Sequence, residues 1–342
     1  MNRENNFNII RWIALLMVLY GHQFILLGQI PPSILGHPVH GLGVNILFAL
    51  SGYLIYGSYK KSRDLKEYLK KRAIRIFPPL VFVTIVTALL CYFFTTADKV
   101  IYFKGSISYI IYNCLLNPRF GLPGVFEENY YPLAVNGSLW TLPIEFACYL
   151  IVPVLCMLCK KRPLKILATV ALFFGGCMVY LSGGGNESKM LIIWGTDWIG
   201  ACRLLVYFLI GMGIAVWEAE KLFDLQIAMV LLAGLACART ELPSILMAFV
   251  VCYVVFSFAF AHNPRFVGFM GKLECSYGMY LWGFTIQQIL IYILHFKTGY
   301  TVTVYKMFAM SGLISFAFAA CTYYAVEKPV NGIFCKKGKR ER

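Results

Sequence analysis

The chain has 342 residues, 59% hydrophobic and 14% charged, with a formal net charge of +15. With a mean hydropathy of +0.69, this composition excludes a soluble globular protein and defines a polytopic membrane protein. The excess Lys and Arg sit in short segments between apolar runs rather than on one folded soluble face, so the charge reports membrane topology and excludes nucleic-acid binding.

The first apolar run, Asn8 to Gly28, is long enough to cross a bilayer yet carries Arg11 and His22. Charged and titratable side chains at membrane depth are costly, so they are expected to face a protein interior or wet cavity and to serve function. On a helix the two lie nearly on one face, about 16 Å apart. One Arg precedes the run and no small-residue cleavage pattern follows, so no removable signal peptide is expected. The segment around Pro31, Pro32 and Pro38 reads as a loop. A second run covers about Leu42 to Tyr56, and the densest basic segment follows, from Lys60 to Arg75. Pro78 and Pro79 are read as opening a third run to about Phe94.

Thr95 to Gly137 is too rich in Asn, Gly, Pro and charge to span, although Ile107 to Leu116 suits an interfacial helix. Further runs cover Ser138 to Leu158, Leu164 to Leu181, Trp198 to Trp217, Leu225 to Ala238, Leu242 to Ala261, Tyr277 to Leu294 and Val302 to Val326, with a Gly-rich link "SGGGNESK" after the fifth span. The expectation is an all-α protein of about ten transmembrane helices, forming one membrane-embedded domain over 1–342 with no appended soluble domain and no internal repeat. Placing both termini inside puts Lys60 to Arg75, Lys160 to Lys165, Arg265 to Lys272 and the "KKGKRER" tail on the cytoplasmic side. The acidic "WEAEKLFD" falls on that side too and dissents from the pattern.

In this topology His22 lies about 20 Å along the first helix. Glu145 lies about 10 Å below the outer surface on a span running inward, so the two come out at similar depth. A Glu beside a His can orient or acidify the imidazole, or bind an acceptor hydroxyl. Arg72 and Arg75, three residues apart, suit a phosphate-bearing cytosolic donor, although positive-inside anchoring explains the same residues. Asn136, Ser138 and Trp140 cluster at the outer mouth of the fourth span, where a Trp marks an interface or stacks on a sugar. Ser51 and Gly52 read first as a point of close helix approach, since no nucleophile elbow surrounds Ser51. Ser276, Tyr277 and Tyr280 stand at a helix start. His37 and His40 have metal-like spacing without a flanking carboxylate or Cys, and no metal site is expected.

These motifs in this order resemble the acyltransferase 3 family of integral membrane O-acyltransferases: Arg11 and His22 spaced by ten residues, "FALSGYL", "KKRAIRIFPP", "SLWTLPIEF", "SYGMYL" and the late "EKP". The resemblance covers nearly the whole chain. It implies acyl transfer from a cytosolic acyl-CoA, acetyl-CoA by default, to a carbohydrate acceptor that is lipid-linked or on the cell surface, in a bacterial cytoplasmic membrane. It implies His22 as the catalytic residue, Arg11 as its motif partner, Arg72 and Arg75 on the donor side, and Glu145 as the acidic residue of the tryptophan motif. Ser51, Asn136, Ser138, Trp140 and Tyr277 are the acceptor-side candidates. One position departs: many members of the family carry Tyr-Leu-x-His after the Ser-Tyr, whereas this chain has Gly283 in place of that His, which puts a two-histidine mechanism in doubt. The opposing reading of the same bundle is export of a polysaccharide or lipid-linked sugar without acyl chemistry.

Overall fold

The computed structural model describes residues 6–62, 64–182, 191–261, 274–300 and 302–340. The basic segment Arg265 to Lys272, most of the "SGGGNESK" link and the last two residues of the tail lie outside them. Twelve α-helices are described: α1 Phe7–Leu26, α2 Val39–Lys61, α3 Leu65–Cys91, α4 Lys99–Cys114, α5 Leu142–Leu158, α6 Arg162–Ser182, α7 Trp198–Trp217, α8 Leu225–Cys237, α9 Ser244–Phe260, α10 Ser276–Ile291, α11 Val304–Thr322 and α12 Lys328–Arg340. Among the described residues eight helical segments are long and apolar enough to cross a membrane, and α8 and α9 are shorter apolar helices. Helix is the form such sequences must take, because a bilayer offers backbone N–H and C=O groups no other partner. The protein is an all-α polytopic membrane protein.

The reading of Pro78 and Pro79 as the start of a span is corrected. Helix α3 begins at Leu65, where Asp64 Oδ1 accepts from the Glu67 amide at 2.7 Å, and it continues through both prolines. Tandem prolines remove two amide donors from the ladder, a loss that membrane helices absorb through local adjustment and neighbouring groups. Arg72 and Arg75 therefore stand on the same rigid helix as the apolar segment after them.

Two compact units make up the chain: Met1–Val18, Pro32–Tyr68 and Ile144–Leu273 in the first, and Leu19–Pro31, Leu69–Pro143 and Glu274–Arg342 in the second. Helices α1, α3 and α5 each contribute residues to both, so neither unit is a contiguous piece of sequence.

The first unit is built on a local repeat that the amino-acid sequence does not display. Two short hairpins, Ser33–Ile34 with His37–Pro38 and Ile192–Ile193 with Thr196–Asp197, lead into α2 and α7. Each turns through a residue pair with positive φ, Leu35 and Gly36 in one and Trp194 and Gly195 in the other. Each helix begins with the same bond, Val39 N–H to the Pro32 carbonyl and Trp198 N–H to the Leu191 carbonyl, both 2.9 Å. The helices then cross at equivalent glycines. A Cβ on Gly52 would fall 1.9 Å from the Phe208 carbonyl oxygen, and one on Gly211 would fall 1.9 Å from that of Ala49. The Ser51–Gly52 pair thus marks a close helix approach.

The acidic stretch after α7 finds its charges matched within this unit. Glu218 pairs with Lys60 at 3.3 Å and with Arg162 at 3.7 Å, and Tyr53 donates to Glu220 at 2.9 Å. The basic ends of α2 and α6 and the acidic end of α7 thus meet at one side of the unit.

Candidate active site

The second unit carries His22. It is partly buried on α1 and meets the Phe284 ring edge-on, with centroids 5.6 Å apart. Phe284 in turn fills the space beside Gly137, where a Cβ would lie 2.7 Å from the ring. Helix α10 meets α1 at Gly283, where a Cβ would fall 2.0 Å from Leu19 Cδ2. The space beside this position, where the family resemblance leads one to expect a histidine, is thus taken by the end of the Leu19 side chain, which must shift before a larger residue fits.

Helix α10 carries polar residues that are fully buried. Thr285, Gln287 and Gln288 are each 0% exposed. Gln288 donates to the carbonyls of Tyr131 and Ala134, at 2.8 and 2.7 Å, and its Oε1 accepts from Asn129 at 2.8 Å. Thr285 donates to the Val135 carbonyl at 3.1 Å. Asn136 donates to the Leu281 carbonyl at 2.8 Å and accepts from the Ser138 amide at 3.2 Å, capping the short helix Gly137–Thr141. The segment from Asn129 to Ser138 is therefore pinned along α10, which holds Phe284 and the loop beside it as one rigid wall. Asn136 and Ser138, expected on the acceptor side, are buried members of this wall, and Trp140 is partly buried beside them.

A second cluster in this unit contains Arg75. Its Nη1 lies 3.5 Å from Glu327 Oε2, and its guanidinium stacks over the Tyr277 ring at 5.1 Å from the centroid. Tyr277 is buried, and its hydroxyl points at the Ile76 carbonyl, 3.5 Å away. Three motifs distant in sequence, "KKRAIRIFPP", "SYGMYL" and "EKP", thus converge on one guanidinium. Arg72 is partly buried one turn before Arg75.

Other expected site residues belong to the first unit. Arg11 donates to Asn8 Oδ1 at 2.9 Å. Glu145 is partly buried and accepts from the Tyr149 hydroxyl. Ser51 is partly buried on α2. His37 hydrogen-bonds the Leu242 carbonyl at 2.9 Å. Sequence reasoning passed over the glutamines of "TIQQ" and Gln23 because it weighed charged residues in apolar runs. A neutral amide in a span carries the same obligation to find partners, and an adjacent Gln pair was a readable signal.

The fold is that of a polytopic membrane protein in which motifs distant in sequence cluster in one unit. A family model described as an acyltransferase domain, acyltransferase 3, matches residues 4–324, and the chain belongs to that family. It is therefore an enzyme of the O-acyltransferase class. The chain is 30% identical over 300 residues to an O-acetyl transferase of Shigella phage Sf6, covering 86% of this chain and 88% of that protein. It is 24% identical over 320 residues to nodulation protein 10 of Rhizobium leguminosarum bv. viciae, covering 85% of this chain and 84% of that protein. No solved structure matches.

Proposed function

We propose that the protein transfers a short acyl group, acetyl, from cytosolic acyl-CoA to a hydroxyl of a cell-envelope carbohydrate, free or lipid-linked, in a bacterial cytoplasmic membrane. The observation that carries this reading is the placement of His22, an imidazole on a membrane-length helix beside a rigid polar wall, in a chain of the acyltransferase 3 family. The acetyl group is supported by the printed name of the phage relative.

The thioester is already activated, so the enzyme must bring its carbonyl to a hydroxyl and take that hydroxyl's proton. An imidazole has the basicity for this task near neutral pH. In the direct route the hydroxyl oxygen attacks the thioester carbonyl while His22 takes the proton. The tetrahedral adduct then expels coenzyme A, whose thiolate recovers the proton from the imidazolium. In the covalent route the imidazole attacks first, the thioester C–S bond breaks and the coenzyme A thiolate takes the ring proton; the acceptor hydroxyl then attacks the acyl-imidazole, its C–N bond breaks, and the freed imidazole takes the hydroxyl proton. The covalent route carries the acyl group from a cytosolic donor to an external acceptor. Arg72 and Arg75 serve the donor phosphates. Glu327 and Tyr277 preset the Arg75 fork, which lowers the side-chain entropy lost when a phosphate docks.

Incubating the purified protein with acetyl-labelled acetyl-CoA and no acceptor separates the routes, since only the covalent one leaves label on the protein. Mass spectrometry of envelope carbohydrate from cells with and without the intact gene identifies acyl group and acceptor together. Carbohydrate unchanged in acylation would refute the reading.

A further inference from the structure

Among the described residues, two fully buried glutamines next to His22 each end in an atom without a partner. Gln23 follows His22 on α1; its Oε1 accepts from Ser311 Oγ at 3.3 Å, and its Nε2 has no hydrogen-bond partner. Gln287 on α10 donates from Nε2 to the Leu19 carbonyl oxygen at 2.8 Å, which fixes the way round of its amide, and its Oε1 has no partner. Both residues are 0% exposed. Leu19 stands one helical turn before Gln23, so the two amides meet α1 within one turn of each other and of His22. The vacant positions are one donor and one acceptor. Ser315, one turn beyond Ser311 on α11, adds a buried hydroxyl that also lacks a partner among the described residues. Buried polar groups are almost always satisfied, and an apolar surround makes the exceptions costly.

A sugar hydroxyl has the matching needs, because it accepts one hydrogen bond and donates one. We propose that Gln23 and Gln287 form a hydroxyl-binding subsite beside His22, with Gln23 Nε2 donating to a ring hydroxyl of the carbohydrate and that hydroxyl donating to Gln287 Oε1. This deepens the acyl-transfer reading and rests on it for the choice of carbohydrate. The hydroxyl held here is not the one acylated, since a neutral amide cannot remove its proton. The pair instead reads one ring position and so sets which neighbouring hydroxyl is presented to the imidazole. Sites that hydrogen-bond a substrate hydroxyl discriminate strongly against the analogue lacking it, because the buried partners are then left unpaired.

The test is a binding measurement without acyl-CoA. Purified protein in nanodiscs is titrated, with saturation-transfer NMR as readout, against methyl glycosides of glucose, galactose, rhamnose and N-acetylglucosamine and against their monodeoxy analogues. The wild type is expected to prefer one glycoside over one of its monodeoxy forms by about tenfold. Gln23→Met and Gln287→Met are expected to erase that preference with the thermal midpoint unchanged or raised. Gln23→Asn, which keeps the polarity and withdraws the amide, is expected to do the same and replaces a Met variant that does not fold. The proposal is overturned if the wild type is indifferent to every deoxy position. It is equally overturned if the variants keep the preference, as they would if the two amides served each other or a water. Transfer without hydroxyl discrimination would remove the subsite and leave acyl transfer standing. Discrimination that the variants abolish supports the subsite whatever a separate transfer assay shows.

Discussion

At the scale of single residues, the Arg75–Glu327 pair joins stability to the proposed donor side of the site. The Glu327 side chain is 4% exposed and that of Arg75 is 36% exposed, so the carboxylate is the member that cannot do without its partner. Removing Arg75 strands a buried charge, whereas removing the charge from Glu327 as well relieves it. Arg75→Ala is expected to destabilise the folded protein by about 2 kcal/mol, discounted for the exposure of the guanidinium. Adding Glu327→Gln should restore part of that loss, and thermal unfolding of the two singles and the double checks it. Gly283 makes a second residue-scale point. Gly283→His should not add a second imidazole beside His22 without cost, because its side chain must displace the end of Leu19. Lower stability and no gain in transfer are expected, with Leu19→Ala recovering the stability in the double variant.

At the scale of elements, helix α2 meets α7 backbone to backbone, and the packing is equivalent from either side. Gly52→Ala and Gly211→Ala are therefore expected to cost similar amounts, each about 2 kcal/mol or more, since carbonyl oxygens cannot move aside as side chains do. Gly175→Ala on α6 is the control: a Cβ there meets nothing within 4 Å, so the thermal midpoint should hold. What was legible in the sequence follows from the physics of each element. Trp198–Trp217 was readable to the residue, because an apolar run bounded by Asp197 and Glu218 has ends that burial and capping both define. Helix α3 was misjudged because Pro78 and Pro79 are strong breakers in water but tolerable in a membrane helix. The hairpin–helix repeat went unread since its turns use Leu-Gly in one copy and Trp-Gly in the other, and backbone conformation, not residue identity, is what repeats.

At the scale of the whole molecule, the all-α membrane architecture was legible from composition and run length alone, because the bilayer leaves few other solutions. The convergence of Arg75, Tyr277 and Glu327 was legible only as three separate motifs. Their meeting depends on helix packing that no local pattern encodes. The charge pattern predicts a cytoplasmic C-terminus, so a green fluorescent protein fused there should fluoresce and an alkaline phosphatase fused there should be inactive. The reverse result would invert the proposed donor and acceptor sides.

The central claim is that His22 carries the acyl-transfer chemistry, and purified His22→Ala in nanodiscs, supplied with labelled acetyl-CoA and envelope carbohydrate, tests it most directly. A fall in transfer of at least about 100-fold, with the thermal midpoint preserved, is the predicted result. Full acyl-CoA-dependent transfer by a folded His22→Ala protein would contradict it.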